Sequence, residues 1–227
     1  MTTVATRRDI ATLVRNSHPG AEHRATRAFA DADPGCIAPS AMLHSATPTP
    51  VPPDRPDRPP DRPIVLVGLM GVGKSTVGRR LAKRMRLPFV DADHEIELAA
   101  GMTIAEIFER FGEPYFRDGE RRVIARLMDG RPKVIATGGG AFINAETRSL
   151  ILAESTAVWL RANPDVLADR VRRRDTRPLL RGRDARAVLV DLATARDPIY
   201  ALAPIHVFSH RTPHEATVAA ILKAIGR

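Results

Sequence analysis

The sequence of 227 residues is 44% hydrophobic and carries a formal charge of +9, which suits one α/β domain with a core and some additional chain. Its single cysteine, Cys36, excludes an intramolecular disulfide, and no stretch reaches the roughly 18 consecutive apolar residues of a membrane span. The amino terminus lacks the apolar segment of a secretory signal, so we expect a cytoplasmic protein that does not bind a membrane.

The positive charge is almost all arginine and lies mainly outside the first 63 residues. These hold eight arginines and seven acidic residues, a net charge of +1, which leaves +8 for the other 164 residues. Arginine suits bidentate recognition of phosphate and carboxylate. A nucleic-acid surface is the alternative, but only 4% of the residues are aromatic and no base-stacking motif is visible. A pocket for an anionic nucleotide and an anionic substrate is therefore favoured, with no nucleic-acid partner.

Residues 1–62 differ from the rest of the chain and are predicted to be a disordered extension rich in proline and arginine. Residues 1–63 contain 11 of the 19 prolines and three Asp-Arg-Pro triplets, a composition typical of a semi-extended tether. A partner-binding arm and an organelle transit peptide are alternatives, and the second is disfavoured by four early acidic residues, Asp9, Glu22, Asp31 and Asp33. Met42 is an alternative translation start.

The stretch from Ile64 to Thr76 predicts a phosphate-binding loop. A short apolar strand runs into Gly-x-x-x-x-Gly-Lys-Ser, and a helical pattern follows at once. The glycines let backbone N–H groups turn inward, and the helix start adds its positive dipole end, so a polyphosphate is the expected ligand. Lys74 is expected to reach the β- and γ-phosphates, and the Ser75 hydroxyl to bind Mg²⁺.

From Ile64 onward the predicted strands and helices alternate, which indicates a parallel sheet covered on both faces. The strands are predicted over 64–68, 88–91, 133–137, 157–161 and 205–209. The helices are predicted over 74–86, 94–100, 103–111, 114–129, 144–153, 164–174, 184–202 and 213–226.

Two aspartates, Asp91 and Asp93, stand at the end of the second predicted strand, at the edge where the phosphate loop is expected. Strand alternation would put both side chains on the same side. A phosphoryl transferase needs one carboxylate for the metal shell and one to orient or deprotonate the acceptor hydroxyl. Asp91 fits the first role and Asp93 the second. Loop or capping aspartates are the alternative, and Asp93 is placed to cap a helix that starts at His94.

Two further motifs indicate close contacts with a ligand. Gly138, Gly139 and Gly140 follow the third strand, and such a run is expected where a backbone lies close to a ligand or makes a tight turn. Arg117 stands in the first turns of a helix, where the helix dipole disfavours a cation. This position indicates a ligand, or a pair with Glu120 at i+3; a solvated surface arginine is the alternative.

The segment from Arg170 to Arg196 is rich in arginine. Its central part, residues 172–183, contains charge, proline and glycine but few apolar residues. It is predicted to be a mobile flap that closes over the nucleotide and brings a cation to the transferred phosphate. Arg196 follows on a helix. Solvated faces are the alternative for such arginine runs.

The motifs GLMGVGKST, DAD, FGEPYFRDGE, TGGGA, TRPLL and RDPIY occur in this order, and their succession resembles the shikimate kinase family over residues 63–227. The resemblance implies a P-loop kinase domain with a five-stranded parallel sheet in the order 2-3-1-4-5, substrate-binding helices at about 94–122 and a lid at about 172–184. It also implies transfer of the γ-phosphate of ATP to the 3-hydroxyl of shikimate, on the route to chorismate and the aromatic amino acids. A monomer is expected.

The resemblance also implies roles for individual residues. Asp93, as the base, Lys74 and Arg177 are the implied catalytic residues. Shikimate is bound by Asp93, Arg117, Gly139 through its N–H, and Arg196. ATP is bound by a larger set, namely Gly71, Val72, Gly73, Lys74, Ser75, Thr76, Arg177 and Arg211. Mg²⁺ is held by Ser75 and, through water, by Asp91. The adenine-packing arginine is one of Arg172, Arg173 and Arg174, with the Arg211–Pro213 loop on the other side.

Two other classes of protein remain as alternatives. A gluconate or nucleoside monophosphate kinase would share the phosphate loop and lid, but is not expected to combine the glycine run with Arg117 and Arg196. An inactive binding module is not expected to keep intact Lys74, Ser75, Asp93 and Arg177 together.

Overall fold

The computed structural model describes residues 61–172, 184–210 and 213–227. In these residues, one sheet of five parallel strands has the order β2-β3-β1-β4-β5, which confirms the predicted fold. The strands are β1 (Ile64–Val67), β2 (Phe89–Asp91), β3 (Val134–Ala136), β4 (Thr156–Arg161) and β5 (Ile205–Phe208). The central strand is β1, which pairs with β3 on one side and with β4 on the other.

Helices connect the strands as a parallel sheet requires. They are α1 (Lys74–Met85), α2 (Ala92–Ala100), α3 (Ile104–Leu127), α4 (Ala145–Glu154), α5 (Pro164–Arg172), α6 (Ala185–Tyr200) and α7 (His214–Ala224). Over the described part of the chain, none of them combines the length and the apolar character needed to cross a membrane.

The long helix α3 replaces the two helices predicted over 103–111 and 114–129. It is broken at Gly112, which has φ +79° and ψ 173°, and Pro114 stands at the start of the second half. The predicted boundary is therefore real, although no linker separates the halves. The first half begins with a capping box, in which the Thr103 N–H donates to the Glu106 carboxylate over 2.8 Å. The break lets the second half, which carries Arg117, take its own direction.

The core lies on both faces of the sheet. All four residues of β1 and all three of β3 are buried, which explains why both strands are continuously apolar. Helix α1 covers one face with Val77 and Leu81, each 0% exposed. Burial on this scale stabilises the framework by roughly 1.5–3 kcal/mol for each large aliphatic side chain.

Parallel strands end at one edge of the sheet, and the loops that follow them meet there. The phosphate loop follows β1, Asp91 ends β2, and Thr137 follows β3. At the far side, the Ser209 N–H donates to the Arg161 carbonyl over 2.6 Å, which holds the ends of β4 and β5 together. The candidate site is built on this edge.

Candidate active site

The loop between β1 and α1 has a backbone shape that only glycine adopts easily. Gly68, Gly71 and Gly73 have φ values of +131°, +79° and +103°. In the described chain, no side chain caps the start of α1 at Gly73. The backbone N–H groups at this helix start are therefore available to an anionic ligand.

Lys74 is the first residue of α1, and its amino group lies against this loop. The side chain is buried, and Nζ donates to the carbonyls of Gly68 over 2.8 Å and Leu69 over 3.0 Å. Ser75 and Thr76 follow in the first turn and are partly buried. An ammonium group and a hydroxyl at a helix start are what a nucleotide polyphosphate and its metal ion contact. The predicted residues from Gly71 to Thr76 thus form one continuous loop and helix start.

Arg170 on α5 ties the phosphate loop to the chain after β5. Its NH1 donates to the Val72 carbonyl over 3.1 Å and to the Ser209 hydroxyl over 3.2 Å. Its NH2 donates to the His210 carbonyl over 2.8 Å. Burial lowers the pKa of this guanidinium. Arg170 was not predicted to be a site residue. The available signal was its i+3 spacing from Leu167, which faces the core.

Asp91 and Asp93 are close together, but not for the predicted reason. Helix α2 begins at Ala92, directly after β2, so strand alternation does not apply to the pair. Asp91 is the N-cap, and its carboxylate accepts from the Asp93 N–H over 3.3 Å. The prediction that Asp93 caps a helix starting at His94 is therefore wrong. Asp93 instead lies in the first turn of α2.

The guanidinium of Arg117 is held by two carboxylates. Its NH1 donates to Glu120 over 2.7 Å, and its Nε and NH2 donate to Glu113 over 3.1 and 2.9 Å. The Glu120 side chain is only 3% exposed. Burial alone would lower the pKa of Arg117, but Glu120 and Glu113 raise it. Both readings of Arg117, a helical pair with Glu120 and a cation kept for a ligand, are compatible with this geometry.

Glu120 carries the least satisfied buried group of this cluster. Its Oε1 is buried and accepts no hydrogen bond within the described residues. Burial raises the pKa of Glu120 despite the neighbouring Arg117, and the charge of Asp93 adds to the rise. A buried acceptor without a donor is costly, by about 1–3 kcal/mol. Such a cost is tolerated where a ligand or water supplies the donor.

The glycine run brings these groups together. A Cβ atom on Gly138 would lie 2.7 Å from both Asp93 Oδ1 and Glu120 Oε1. A Cβ atom on Gly140 would lie 2.5 Å from the Arg117 NH1, and one on Gly139 would lie 3.4 Å from the Met70 backbone nitrogen. The run is glycine because charged side chains and the phosphate loop pack directly against its backbone.

Arg196 and Tyr200 on α6 reach the same run. The Arg196 NH1 donates to the Gly139 carbonyl over 3.3 Å, and the Tyr200 hydroxyl donates to the same carbonyl. Burial raises the pKa of Tyr200 to about 12, so this donor stays protonated at neutral pH. Tyr200 belongs to the Arg-Asp-Pro-Ile-Tyr motif but was not predicted to be a site residue, because nothing local in the sequence indicates a contact 61 residues away.

Some predicted residues lie outside the part of the chain that the structure describes. These are Arg173, Arg174, Arg177 and Arg211, with residues 173–183 of the expected lid and residues 1–60 of the expected extension. Arg172 ends α5, and its side chain is not described. In the described ranges, no three His, Cys, Asp or Glu side chains cluster so as to hold a metal ion by themselves.

The chain is similar in sequence to shikimate kinases. A family model described as shikimate kinase matches residues 70–226. The shikimate kinase of Caulobacter vibrioides is 62% identical over 162 residues, which cover 71% of this chain and 81% of the relative. That of Zymomonas mobilis is 55% identical over 172 residues, covering 76% and 98%.

Solved structures agree with the sequence relatives. A shikimate kinase from Acinetobacter baumannii in complex with shikimate superposes with a TM-score of 0.69 at 38% identity, covering 72% of this chain and 92% of that one. A shikimate kinase from Aquifex aeolicus superposes with a TM-score of 0.64 at 34% identity, covering 72% and 96%.

Proposed function

This chain belongs to the shikimate kinase family, and we propose that the edge of the sheet described above is where it binds and phosphorylates its substrate. The chain is an ATP-dependent kinase that phosphorylates shikimate on its 3-hydroxyl, in the pathway to chorismate and the aromatic amino acids. The observation that supports the location best is the convergence of Asp93, Arg117 and Arg196 on Gly138–Gly140, next to the phosphate loop.

ATP supplies the phosphate, and its polyphosphate is proposed to lie on the residues from Gly71 to Thr76. The left-handed glycines and the uncapped helix start favour an anion there. The Lys74 ammonium donates hydrogen bonds to two carbonyls of the loop. We propose that it donates instead to the β- and γ-phosphate oxygens when ATP binds. It would thereby stabilise charge that develops during transfer, which is the basis of its catalytic role.

Mg²⁺ is proposed to accompany ATP, with Ser75 and Asp91 as its protein-side partners. The donor types fit, because hydroxyl and carboxylate oxygens suit this hard cation and phosphates and water supply the remaining ligands. Asp91 ends β2 and is half-buried, which suits a contact through water. When bound, Mg²⁺ would neutralise negative charge on the phosphates.

Shikimate is proposed to lie on the glycine run, with its carboxylate between Arg117 and Arg196. Two guanidinium groups provide charge-assisted, bidentate contacts for a small carboxylate. Glu113 and Glu120 hold Arg117 in place before the substrate arrives. The Gly139 carbonyl is engaged by Tyr200 and Arg196, and its N–H is proposed to donate to the substrate.

Asp93 is proposed to orient and deprotonate the 3-hydroxyl. As the new O–P bond forms, the bond from the γ-phosphorus to the β,γ-bridging oxygen breaks, ADP leaves, and the hydroxyl proton passes to the Asp93 carboxylate. Glu120 faces Asp93 across Gly138. The orphan Oε1 of Glu120 is also available to a substrate hydroxyl.

We propose that the lid and the residues around the nucleotide base complete the ATP-binding site. Arg177 would reach the phosphates and Arg211 would line the base. Arg170 lies between the phosphate loop and the chain that leads to Pro213. Arg170 is therefore proposed as a further candidate for the adenine-packing arginine. Arg172, Arg173 and Arg174 stay predictions.

The remaining expectations concern the whole protein. We propose a kinase domain over 63–227, with substrate-binding helices at about 94–122, a lid at about 172–184 and an extension over 1–62. We propose a cytoplasmic monomer that binds neither nucleic acid nor membrane. In support, the large exposed apolar side chains of the described residues are scattered over separate elements, namely Leu98, Phe108, Val190, Leu202 and Phe208.

An acceptor panel tests the proposed function. ADP release is measured with shikimate, gluconate and nucleoside monophosphates at equal concentrations, in the presence of ATP and Mg²⁺. We expect ADP release that depends on shikimate and only background release with the others. Faster turnover of gluconate or of a nucleoside monophosphate would contradict the proposal.

A further inference from the structure

The three left-handed glycines of the phosphate loop are each packed against a different element of the fold. A Cβ atom on Gly68 would overlap a backbone oxygen of β4, and one on Gly71 would lie 2.8 Å from Cγ2 of Val171 on α5. For a Cβ atom on Gly73, the nearest atom belongs to His214, the first residue of α7. Three separate elements therefore support the loop from outside.

The His214 imidazole lies where a side chain at position 73 would point. Its Cε1 and Nδ1 atoms are 3.5 and 3.8 Å from the position of a Cβ atom on Gly73, which is ordinary van der Waals contact. Nδ1 is buried, and the residue as a whole is half-buried. The ring thus fills the space beside the backbone that leads into α1.

The packing of α7 on α1 holds His214 in this place. Val218 and Ile221 of α7 are buried in the core, at 7% and 0% exposure. Glu215, the next residue after His214, forms an ion pair with Arg80 of α1. Both side chains of that pair are exposed, so it contributes little by itself. Burial of the apolar face therefore fixes the start of α7 against the start of α1.

Gly73 needs such support because its own backbone does not determine the shape of the loop. It is the N-cap of α1, with φ +103° and ψ 18°. Glycine populates positive and negative φ about equally, so the neighbours of the residue decide which conformation it keeps. Arg170 holds the Val72 carbonyl over 3.1 Å, and the His214 ring limits the movement of Gly73. A loop that already has its binding conformation loses less conformational freedom when a polyphosphate binds.

We propose that His214 is a positioning residue of the phosphate loop. Its ring keeps the Gly73 backbone in the conformation that presents the N–H groups at the start of α1 to the nucleotide. The inference rests on the proposed function, in which the polyphosphate of ATP lies on the residues from Gly71 to Thr76. The role requires a flat ring beside Gly73 and no proton transfer, so a phenyl ring should serve as well as an imidazole.

Calorimetric titration of the full-length protein with ADP and Mg²⁺ tests this role without the acceptor substrate. We expect His214→Ala to bind ADP about 3- to 10-fold more weakly than the parent chain, because the loop must then be ordered when the nucleotide binds. The KM for ATP should rise by a similar factor, and the KM for shikimate should not change. His214→Phe should bind ADP as the parent chain does.

Ile221→Val is the matched control on α7. Ile221 lies about two turns after His214, so this variant removes packing from the same helix without changing the contact with Gly73. It should lower the melting temperature and leave the affinity for ADP unchanged.

Three results would overturn the proposal. These are parent-like binding of ADP by His214→Ala, an equal loss of affinity in Ile221→Val, and binding by His214→Phe that is as weak as that by His214→Ala. A parent chain that binds no ADP would contradict the proposed nucleotide site and, with it, this inference.

Discussion

Single charged residues at this site are positioned by other charged residues before any ligand arrives. Arg117 is bonded to Glu113 and Glu120, and Glu120 faces Asp93 across Gly138. Preorganised groups lose less conformational freedom on binding, so more of the interaction energy is retained. The arrangement places Arg117, the proposed partner of the substrate carboxylate, and Asp93, the proposed base, against one glycine run.

Replacing Arg117 by alanine removes a proposed partner of the substrate carboxylate. A buried charged hydrogen bond is worth roughly 1.5–3 kcal/mol, so the KM for shikimate should rise about 10- to 100-fold. The KM for ATP should change little, because Lys74 and the phosphate loop are untouched. Steady-state kinetics with each substrate varied in turn measure both constants. Equal increases in the two KM values would contradict the proposal that Arg117 binds the substrate carboxylate.

Tyr200 is predicted to be a positioning residue for the glycine run. Tyr200→Phe removes the donor to the Gly139 carbonyl, while Arg196 still donates to it over 3.3 Å. The loss of one buried hydrogen bond should raise the KM for shikimate about 3- to 10-fold and leave the KM for ATP unchanged.

Trp159→Phe is the matched control for this tyrosine. The centres of the Trp159 and Tyr200 rings are 6.0 Å apart. Trp159 is not among the described neighbours of Gly139. Trp159→Phe should lower the melting temperature without changing the KM for shikimate. If Tyr200→Phe also lowers only the melting temperature, Tyr200 has a purely structural role.

Among the elements, the glycine run after β3 gathers the residues proposed to bind the acceptor, and the phosphate loop after β1 is proposed to bind the donor. Side chains from α2, α3 and α6 all approach it. The sequence predicted close packing at these glycines, and the structure identifies what packs there. Helix boundaries were less predictable. Asp91 caps α2 because the helix follows β2 without a linker, and periodicity alone does not resolve a boundary of one or two residues.

Gly140→Ala tests the packing of this run. The backbone of Gly140 is right-handed helical, with φ −103° and ψ −15°, so alanine fits without backbone strain. Its Cβ would meet the Arg117 guanidinium at 2.5 Å, and that flexible group would move. We expect the KM for shikimate to rise about 10-fold with little loss of thermal stability.

Gly119→Ala on α3 is the control substitution for the run. No atom lies within 4 Å of the position of its added Cβ, and alanine in a helix interior stabilises by about 0.5–1 kcal/mol over glycine. It should raise the melting temperature and leave kinetics unchanged. A similar KM for shikimate in Gly140→Ala and Gly119→Ala would contradict the role assigned to the run.

For the whole molecule, the alternating pattern from Ile64 onward was enough to predict a parallel sheet, and the family resemblance implied its order. Long-range contacts were not predictable in the same way. Arg170 reaches Val72 across 98 residues and Tyr200 reaches Gly139 across 61. Such contacts depend on which loops the sheet order places side by side, and no local pattern encodes that.

The chain before the sheet should be dispensable for the reaction. Every described contact of the site comes from residues after Ile64, so deleting residues 1–62 should leave kcat and both KM values within about twofold of the full-length protein. The comparison uses the full-length chain and the shortened chain at equal active-site concentration. A large loss of activity would show that the extension takes part in folding or catalysis.

Identification of the reaction product tests the central claim most directly. The full-length protein is incubated with ATP, Mg²⁺ and shikimate, and the product is analysed by a proton–phosphorus correlation experiment in NMR. The account predicts one correlation, between the new phosphorus signal and the proton on the carbon that bears the 3-hydroxyl. A phosphate on another hydroxyl, or ADP formed without phosphorylated shikimate, would contradict it.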